Sequence, residues 1–240
     1  MVKESRIGTS GWAYPHWEGV FYPPHLPQNK WLSYYSQFFD TVEVNSYFYH
    51  LPRSTTFSKW RDTTPPEFVF SVKASRYITH IKKMREVEEP LAKLYEVVKE
   101  LGNKLGPLLF QFPPQLKFNR EVFTSFVELL SPDFRYVFEF RNESFFTGEV
   151  YEILEKKNIC LCFSDTPSFP YQEVISSSFI YLRLHGHGSL YTDFYSEEEL
   201  EDWGAKIRFW LGERDVYCYF DNDYEGFAVK NAQRLREILS

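Results

Sequence analysis

Cysteine is scarce in this 240-residue chain, and long apolar runs are missing altogether. The three cysteines, Cys160, Cys162 and Cys218, all lie in predicted strands, and an odd set of buried thiols indicates a reduced, cytoplasmic protein without a disulfide framework. No segment approaches the roughly 18 consecutive apolar residues of a membrane span, and the N-terminus lacks the apolar core of a signal peptide. We therefore expect no membrane association.

Positive charge is also limited, whereas aromatic side chains are abundant. Lysine and arginine number 27 against 33 aspartates and glutamates, a net charge of −6. A protein that coats nucleic acid non-specifically would be basic, so the composition argues against that class while leaving room for a local basic patch. Aromatic residues make up 20% of the chain, and we expect some of these rings to line a ligand-stacking surface.

Eight short apolar runs recur along the chain, and each ends in a polar or charged residue. They cover residues 7–10, 42–45, 68–73, 108–111, 137–141, 159–165, 180–185 and 216–221. Helical spacing of apolar residues separates most of them. Eight strand–helix units predict an α/β fold, a single TIM-type (β/α)8 barrel in which residues 1–240 form one domain. The sixth unit differs, because the two prolines in 166–178 predict a loop or an irregular, stunted sixth helix.

The polar residues at the strand ends form the candidate site. Alternation along each strand assigns these side chains to one face, which we place inside the barrel. In a parallel barrel the C-terminal strand ends meet at one mouth, where the active sites of such enzymes lie. The predicted ring consists of Ser10, Glu43, Asn45, Lys73, Gln111, Glu139, Arg141, Asp165, Arg183, His185 and Asp221.

Within this ring, the predicted catalytic residues are Glu43, Glu139, His185 and Asp221. Charges that share a partly dry mouth shift one another's pKa, which is how a general acid and a general base are tuned near neutral pH. Glu43 and Glu139 are the best candidates for the acid and the base, because each has a polar residue two positions later in its strand. Two such carboxylates suit glycoside hydrolysis or proton transfer beside a carbonyl, and the sequence leaves both open. A purely structural ion-pair network is the alternative.

The cations of the ring indicate a negatively charged ligand. Arg141 and Arg183 offer forked donors that suit carboxylate or phosphate. We interpret Lys73 as a cation paired with Glu43 or with the substrate, and a Schiff-base nucleophile is the alternative if its pKa is lowered. Neutral hydrogen bonds to the substrate are expected from Ser10, Asn45 and Gln111.

Neither a metal nor a cofactor is expected. The strand ends supply one histidine, and His185-Gly186-His187 alone is a weak signal, because zinc sites usually draw on more histidine or cysteine.

Two loop features extend the candidate site. The loop at 73–85 is locally basic, and it suits phosphate binding as well as it suits a solvated surface balanced by the glutamates that follow. Thr79 and His80 in this loop are predicted substrate contacts. Aromatic residues follow several strands, and we expect only a few of them, led by Trp12 and Tyr47, to touch the ligand.

Six motifs in the same order resemble the YecE-like family. They are Ile7-Gly-Thr-Ser-Gly-Trp12, Glu43-Val-Asn45-Ser-Tyr-Phe-Tyr49, Phe70-x-x-Lys73 running to Ile78-Thr79-His80, Gln111-Phe-Pro-Pro114, Glu139-Phe-Arg141 and Arg183-Leu-His185-Gly186. The resemblance implies a barrel related to the TIM type, in a family named as a domain of unknown function. Some of its barrels look similar to xylose-isomerase-like and endonuclease-IV-like enzymes, whose histidine metal ligands are mostly missing from this sequence.

These observations predict an enzyme of hydrolase or isomerase type that performs acid/base chemistry on a small anionic or carbohydrate-like molecule. One alternative is a phosphodiester-acting or nucleic-acid-binding protein that uses the basic loop at 73–85. Another is a non-catalytic metabolite-binding protein. The mixed signs of the ring favour the enzyme, since a simple binder of anions needs no carboxylates at its site.

Overall fold

Nine strands run through residues 3–46 and 54–240, the parts of the chain that the computed structural model describes. Every run that the sequence predicts as a strand forms one, although the sixth is interrupted at Cys162 and counts as two. The strands are β1 Ser5–Thr9, β2 Thr41–Val44, β3 Val69–Lys73, β4 Leu105–Phe112, β5 Tyr136–Phe140, β6 Cys160–Leu161, β7 Phe163–Asp165, β8 Phe179–Leu184 and β9 Asp215–Phe220.

The strands form two parallel sheets, so the α/β class is confirmed. One sheet has the order β1-β9-β8-β7 and the other the order β2-β3-β4-β5-β6. The predicted single closed barrel is not what the hydrogen bonding shows. Between β1 and β2 the backbone pairing of the described residues is the isolated bridge of Ser10 with Glu43, and the break at Cys162 assigns β6 and β7 to different sheets.

Helices connect the strands, as the 3.6-residue spacing of apolar positions predicts. Their bounds are α1 Trp31–Tyr35, α2 Ser54–Thr63, α3 Glu88–Val98, α4 Arg120–Glu128, α5 Gly148–Lys156, α6 Glu197–Trp210 and α7 Phe227–Leu239. A π-helix, Tyr77–Ile81, follows β3 after residues 74–76. Residues 166–178 contain no helix, so the sixth connection is the loop that its prolines predict.

The helix ends follow local chemistry. Asn119 begins α4 by accepting a hydrogen bond from the Val122 amide through Oδ1 at 3.0 Å. Ser196 and Glu199 form a reciprocal capping box at α6, in which each side chain accepts from the other residue's backbone amide at 3.3 and 2.8 Å. After α3, Gly102 takes a positive φ of 57° between the helix and β4.

Most of the aromatic surplus packs in the core. Phe140 stacks on Phe145 with 4.3 Å between ring centroids, and further phenylalanines surround this pair between β4, β5 and α4. A second, smaller apolar cluster lies on the other face of the strands and consists of Leu109, Val137, Cys160, Cys162, Phe179, Tyr181, Tyr217 and Tyr219. The aromatic content is therefore chiefly a packing feature. Among the described residues, none of the helices has the length and apolarity to cross a membrane.

Removal of the α6 capping box should lower stability without changing the fold. We expect Ser196→Ala to cost about 1 kcal/mol, or a melting temperature lower by roughly 2–4 °C for a chain of this length. Ser58→Ala, inside α2, is the matched control and should be neutral or slightly stabilising, because alanine is the better helix former. Equal melting temperatures for Ser196→Ala and the wild-type protein in differential scanning calorimetry would contradict the prediction.

Candidate functional site

A buried arginine organises the strand ends. Arg183 lies on β8 and has none of its surface exposed to solvent. Around it lie Glu43 of β2, Glu139 of β5 and Asp221, which follows β9. Burial of one charged group is unfavourable unless opposite charges and hydrogen bonds surround it. These four residues are far apart in the sequence, and the parallel arrangement of the strands brings them into contact.

The guanidinium of Arg183 contacts all three carboxylates. Its Nε and Nη2 donate to the two oxygens of Glu43 at 3.0 and 2.8 Å, which is the bidentate geometry expected of an arginine–carboxylate pair. Nη1 donates to Glu139 Oε2 at 2.7 Å, and Nη2 donates to Asp221 Oδ2 at 2.8 Å. We refer to these residues and their direct partners as the Arg183 cluster: Ser10, Glu43, Glu139, Arg141, Arg183, His185 and Asp221.

Glu43 lies at the closed, inner side of the cluster. Besides Arg183, the Ser10 hydroxyl donates to its Oε1 at 2.5 Å and the Tyr181 hydroxyl to its Oε2 at 2.6 Å. Both oxygens are occupied and the residue is fully buried. The predicted role of Glu43 as a proton carrier therefore has no geometric support, and its contacts are those of a residue that holds Arg183 in place.

Glu139 and Asp221 are held as anions. Burial alone would raise the pKa of Glu139, but the charges of Arg141 and Arg183 hold it well below its usual range. Arg141 Nε donates to Glu139 Oε1 at 2.7 Å. Burial opposes ionisation of Asp221 too, yet Arg183 and His185 lower the pKa of Asp221 to about 2. The Asp221 side chain keeps 13% of its surface exposed, so it faces the mouth more than Glu43 does.

His185 is buried beside Arg183 and Asp221. Burial, followed by the charge of Arg183, lowers the pKa of His185, so its neutral form is favoured. Arginine has no acceptor, so the 3.1 Å contact of Arg183 Nη1 with His185 Nε2 assigns the imidazole proton to Nδ1. Nδ1 lies 3.0 Å from Asp221 Oδ2. That contact lacks the geometry of a hydrogen bond, so in the described residues Nδ1 is a buried nitrogen without a hydrogen-bond partner, whereas Nε2 faces Arg183. The contacts of the ring with Arg183 and Asp221 suit a positioning role for His185.

Lys73 and Gln111 lie next to the cluster, and Asn45 follows Glu43 by two residues, just after β2. Lys73 ends β3, and burial together with Arg183 lowers its pKa to about 8, although the nearby carboxylates act in the opposite direction. Gln111 on β4 is buried in register with Glu139. Asn45 is half-buried, and within the described parts of the chain its Oδ1 has no hydrogen-bond partner. Such an atom is a candidate ligand contact.

The π-helix after β3 carries the two predicted loop contacts. Thr79 is buried, and its Oγ1 lies 2.8 Å from His80 Nδ1. Burial and the positive charges of Lys73, Arg76 and Arg141 lower the pKa of His80 to about 4, so this imidazole is neutral at physiological pH. π-Helical turns occur often at functional sites, and this one joins a strand-end lysine to a histidine.

Three aromatic residues that sequence reasoning did not select cover the cluster. Tyr191 lies edge-on to His185 with 5.5 Å between ring centroids, and it adopts a left-handed φ of 65°. Phe169 stacks on the Arg141 guanidinium at 4.4 Å, and the Tyr14 hydroxyl donates to the Ser10 carbonyl. All three belong to loops that follow strands, and no spacing rule singles them out from the many other rings of those loops.

Two predicted contacts lie away from the cluster, and a third cannot be placed because it lies outside the described residues. Asp165 pairs in register with Leu184, one residue beyond Arg183, and so faces the opposite side of the sheet. There it accepts from Tyr195 Oη at 2.8 Å and lies 3.2 Å from His187 Nδ1. Trp12 is buried edge-on to Trp60, with ring centroids 4.9 Å apart, and packs its loop on α2. Tyr47 lies outside the described residues.

The misplacement of Asp165 has a physical reason. Cys160 and Cys162 belong to the second, smaller apolar cluster, on the same face of the strands as Arg183. Side chains alternate between faces along a strand, so Ser164 points to this face and Asp165 to the opposite one. In residues 3–46 and 54–240, moreover, no group of three or more histidine, cysteine or acidic side chains could hold a metal ion. The cluster carboxylates instead bind the guanidinium groups of Arg183 and Arg141.

The fold and its cluster define an α/β protein with two parallel sheets and a charged site at their C-terminal strand ends. Residues 6–240 match the family described as "Protein of unknown function DUF72". The chain belongs to this family, and the resemblance to YecE-like proteins seen in the sequence is confirmed.

Three relatives illustrate the match. The UPF0759 protein YunF of Bacillus subtilis (strain 168) is 26% identical over 267 aligned positions, which cover 97% of this chain and 94% of YunF. The UPF0759 protein YecE of Escherichia coli (strain K12) is 26% identical over 153 positions, 62% of this chain and 53% of YecE. The crystal structure of a DUF72 family protein of Thermotoga maritima MSB8, TM1631, superposes with a TM-score of 0.87 at 30% identity, covering 98% of this chain and 99% of that one.

Loss of the central guanidinium should destabilise the protein strongly. Arg183→Met leaves three buried carboxylates without their shared counter-charge, and we expect a loss of about 3–5 kcal/mol in the free energy of unfolding, or no folding at all. Arg183→Lys keeps the charge without the fork and should lose less. Urea denaturation measures both. An Arg183→Met protein as stable as Arg183→Lys would show that the ion pairs do not support the fold.

Stability should fall at acid pH, in part through Asp221. A carboxyl with a pKa near 2 in the folded state and near 4 when unfolded stabilises the protein fully above about pH 4 and loses this contribution as the pH falls through 2, which amounts to about 2 kcal/mol. Urea denaturation at about pH 6 and about pH 3 should show a smaller decline for Asp221→Asn than for the wild-type protein. Glu201→Gln, at an exposed position, should keep the wild-type decline. Equal declines for all three proteins would contradict the prediction.

Proposed function

We propose that this protein is an enzyme that performs acid/base chemistry on a small anionic or carbohydrate-like molecule at the Arg183 cluster. The observation that carries the proposal is a pair of carboxyl groups, Asp221 and Asp223, in opposite environments. Arg183 lowers the pKa of Asp221 to about 2, whereas burial and the charge of Asp221 raise the pKa of Asp223. Neighbouring carboxyls whose pKa values are pushed apart suit one base and one acid.

The space beside Asp223 fits a small molecule. A cavity of about 680 Å³ is lined by His16, Val20, Tyr191, Thr192, Asp223, Tyr224, Glu225 and Lys230. It adjoins the Arg183 cluster through Tyr191, whose ring contacts His185. Tyrosine faces and a carboxyl suit the apolar faces and hydroxyls of a sugar-like ligand.

The remaining residues would bind and position the substrate. Arg141 and Lys73 lie on the cationic side of the mouth and suit a carboxylate or phosphate of the substrate. Asn45 would donate or accept a neutral hydrogen bond. Glu43, Glu139 and His185 would keep the guanidinium and Asp221 in fixed positions, since the oxygens of both glutamates and the Nε2 of His185 already face protein partners. This arrangement accommodates either hydrolase or isomerase chemistry.

We also propose that the two sheets act as one barrel of the TIM type in the cytoplasm. The seam between β1 and β2 carries a bridge and a hydrogen bond from the Gly11 amide to the Glu43 carbonyl at 2.8 Å. At the other seam, the Cys162 amide donates to the Phe138 carbonyl at 2.9 Å, which continues the β5–β6 pairing past the break. Three buried cysteines with free thiols suit a reducing compartment.

The nucleic-acid alternative gains no support from the basic loop at 73–85. Lys82 forms an ion pair with Glu86 at 2.9 Å, and Lys93 pairs with Glu89 at 2.6 Å. Glutamates also line the adjoining cavity of about 510 Å³. A phosphate backbone would meet repulsion there, so we retain the small-molecule substrate.

The proposal predicts turnover in a screen of sugar acids, sugar phosphates and hydroxy acids. Compounds that raise the melting temperature are incubated with protein in D2O and followed by proton NMR. The wild-type protein should convert a bound compound or exchange one of its C–H protons for deuterium, and Asp221→Asn should lower that rate by about 10²–10⁴-fold. Asp202→Asn, in a separate cavity on the outer face, is the matched control and should keep the wild-type rate.

Two results would contradict the proposal. Compounds that bind the wild-type protein without chemical change or exchange would indicate a metabolite-binding protein. Equal rates for Asp221→Asn and the wild-type protein would remove Asp221 from the reaction.

A further inference from the structure

An exposed patch of apolar side chains borders the cavity beside Asp223. Phe194, Tyr224 and Val20 keep 47%, 52% and 50% of their surfaces exposed, and Phe227 is half-buried. The centroid of the Phe227 ring lies 5.2 Å from that of Phe194 and 5.9 Å from that of Tyr224. Val20 and Tyr224 also line the cavity itself. We refer to these four residues as the aromatic rim.

The aromatic rim lies at the same end of the strands as the Arg183 cluster. Val20 belongs to the loop after β1, Phe194 to the loop after β8, and Tyr224 and Phe227 follow β9. By contrast, the exposed ring of Phe209 lies near the C-terminal end of α6, at the opposite end of the strands. Contiguous exposed apolar side chains with polar neighbours mark binding sites more often than single exposed rings do.

The loops that carry the aromatic rim are held to one another. Gly226 takes a left-handed φ of 72°, and a Cβ at this position would lie 2.8 Å from Val20 Cγ1, so the loops after β1 and β9 are in close contact. Trp17 Nε1 donates to the Asp223 carbonyl at 3.2 Å, and His16 Nε2 lies 2.8 Å from the same oxygen. The rim is therefore preformed, and a preformed surface loses little conformational entropy on binding.

We infer that the aromatic rim binds a neutral sugar residue of an oligosaccharide whose next residue occupies the cavity beside Asp223. The inference rests on the proposed function and names its substrate class. A sugar ring has apolar C–H faces and hydroxyl edges, so it suits aromatic faces set beside hydrogen-bonding groups. Thr192, Asp223 and Lys230 supply such groups in the lining of the cavity.

The same lining disfavours two other occupants. A nucleic acid would also stack its bases on aromatic rings, but the carboxyl groups of Asp223 and Glu225 line the cavity and would repel its phosphates. A protein partner would need more surface, because stable interfaces bury roughly 800 Å² on each side, whereas the rim consists of four side chains around a concave space.

Titration with neutral oligosaccharides tests the inference. The full-length protein is titrated with cellotetraose, xylotetraose, maltotetraose and N-acetylchitotetraose in a calorimeter, and saturation-transfer NMR identifies the sugar protons that contact the protein. We expect at least one of these compounds to bind. Tyr224→Ala should weaken its binding roughly 3–10-fold, because the sugar loses contact with one aromatic face.

Two variants serve as controls. Tyr224→Phe keeps the ring and should keep the wild-type affinity, which separates stacking from a hydrogen bond of the hydroxyl. Phe209→Ala removes an equally exposed or more exposed ring far from the cavity and should also bind as the wild-type protein does. Melting temperatures check that each variant is folded, and the titration of the wild-type protein decides the matter even if one is not.

Four results would overturn the inference. They are no binding of any of the compounds, equal affinity of Tyr224→Ala and the wild-type protein, tighter binding of an oligothymidylate than of every oligosaccharide, and a dimer that Tyr224→Ala converts to a monomer in analytical ultracentrifugation. Binding needs no turnover. An oligosaccharide that binds at the rim but is neither cleaved nor exchanged in D2O would contradict only the acid/base proposal, whereas turnover of a small sugar acid without oligosaccharide binding would contradict only the present inference.

Discussion

The neutralisation of one buried guanidinium by three carboxylates is the interaction on which the rest of the site depends. Arg183 donates two hydrogen bonds to Glu43 and one each to Glu139 and Asp221. Each of the three acids lies at the end of a different strand. None of these groups could remain charged at such depth alone. Together they fix one another's ionisation, and they leave Asp221 as the carboxylate that reaches the mouth.

Much of this could be predicted from the sequence, because period-two alternation in apolar strands is a strong signal. It placed Glu43, Glu139, Arg183 and Asp221 on one face, and the structure brings these four together. The prolines of 166–178 predicted a loop or a stunted helix, and the structure has the loop. The same rule, applied from Cys160 and Cys162, would have turned Asp165 outward. Alternation does not predict how deeply each side chain is buried. Glu43 lies beneath Arg183 with both oxygens occupied, whereas Asp221 lies nearer to solvent.

The aromatic residues show a second limit of sequence reasoning. Trp12 follows a strand as a ligand-stacking residue would, yet it packs on Trp60 in the core. Tyr191, Phe169 and Tyr14 cover the Arg183 cluster, although their loops carry other rings with the same local pattern. Loop conformation, such as the left-handed backbone at Tyr191, decides which ring turns toward the site, and composition does not encode it.

The ion pairs of Arg183 join residues that belong to different sheets. Glu43 and Glu139 belong to one sheet, whereas Ser10, Arg183, His185 and Asp221 belong to or follow strands of the other. The guanidinium of Arg183 therefore links the two sheets at a boundary where few backbone hydrogen bonds join them. The cohesion of the two sheets at this place therefore depends on a single side chain.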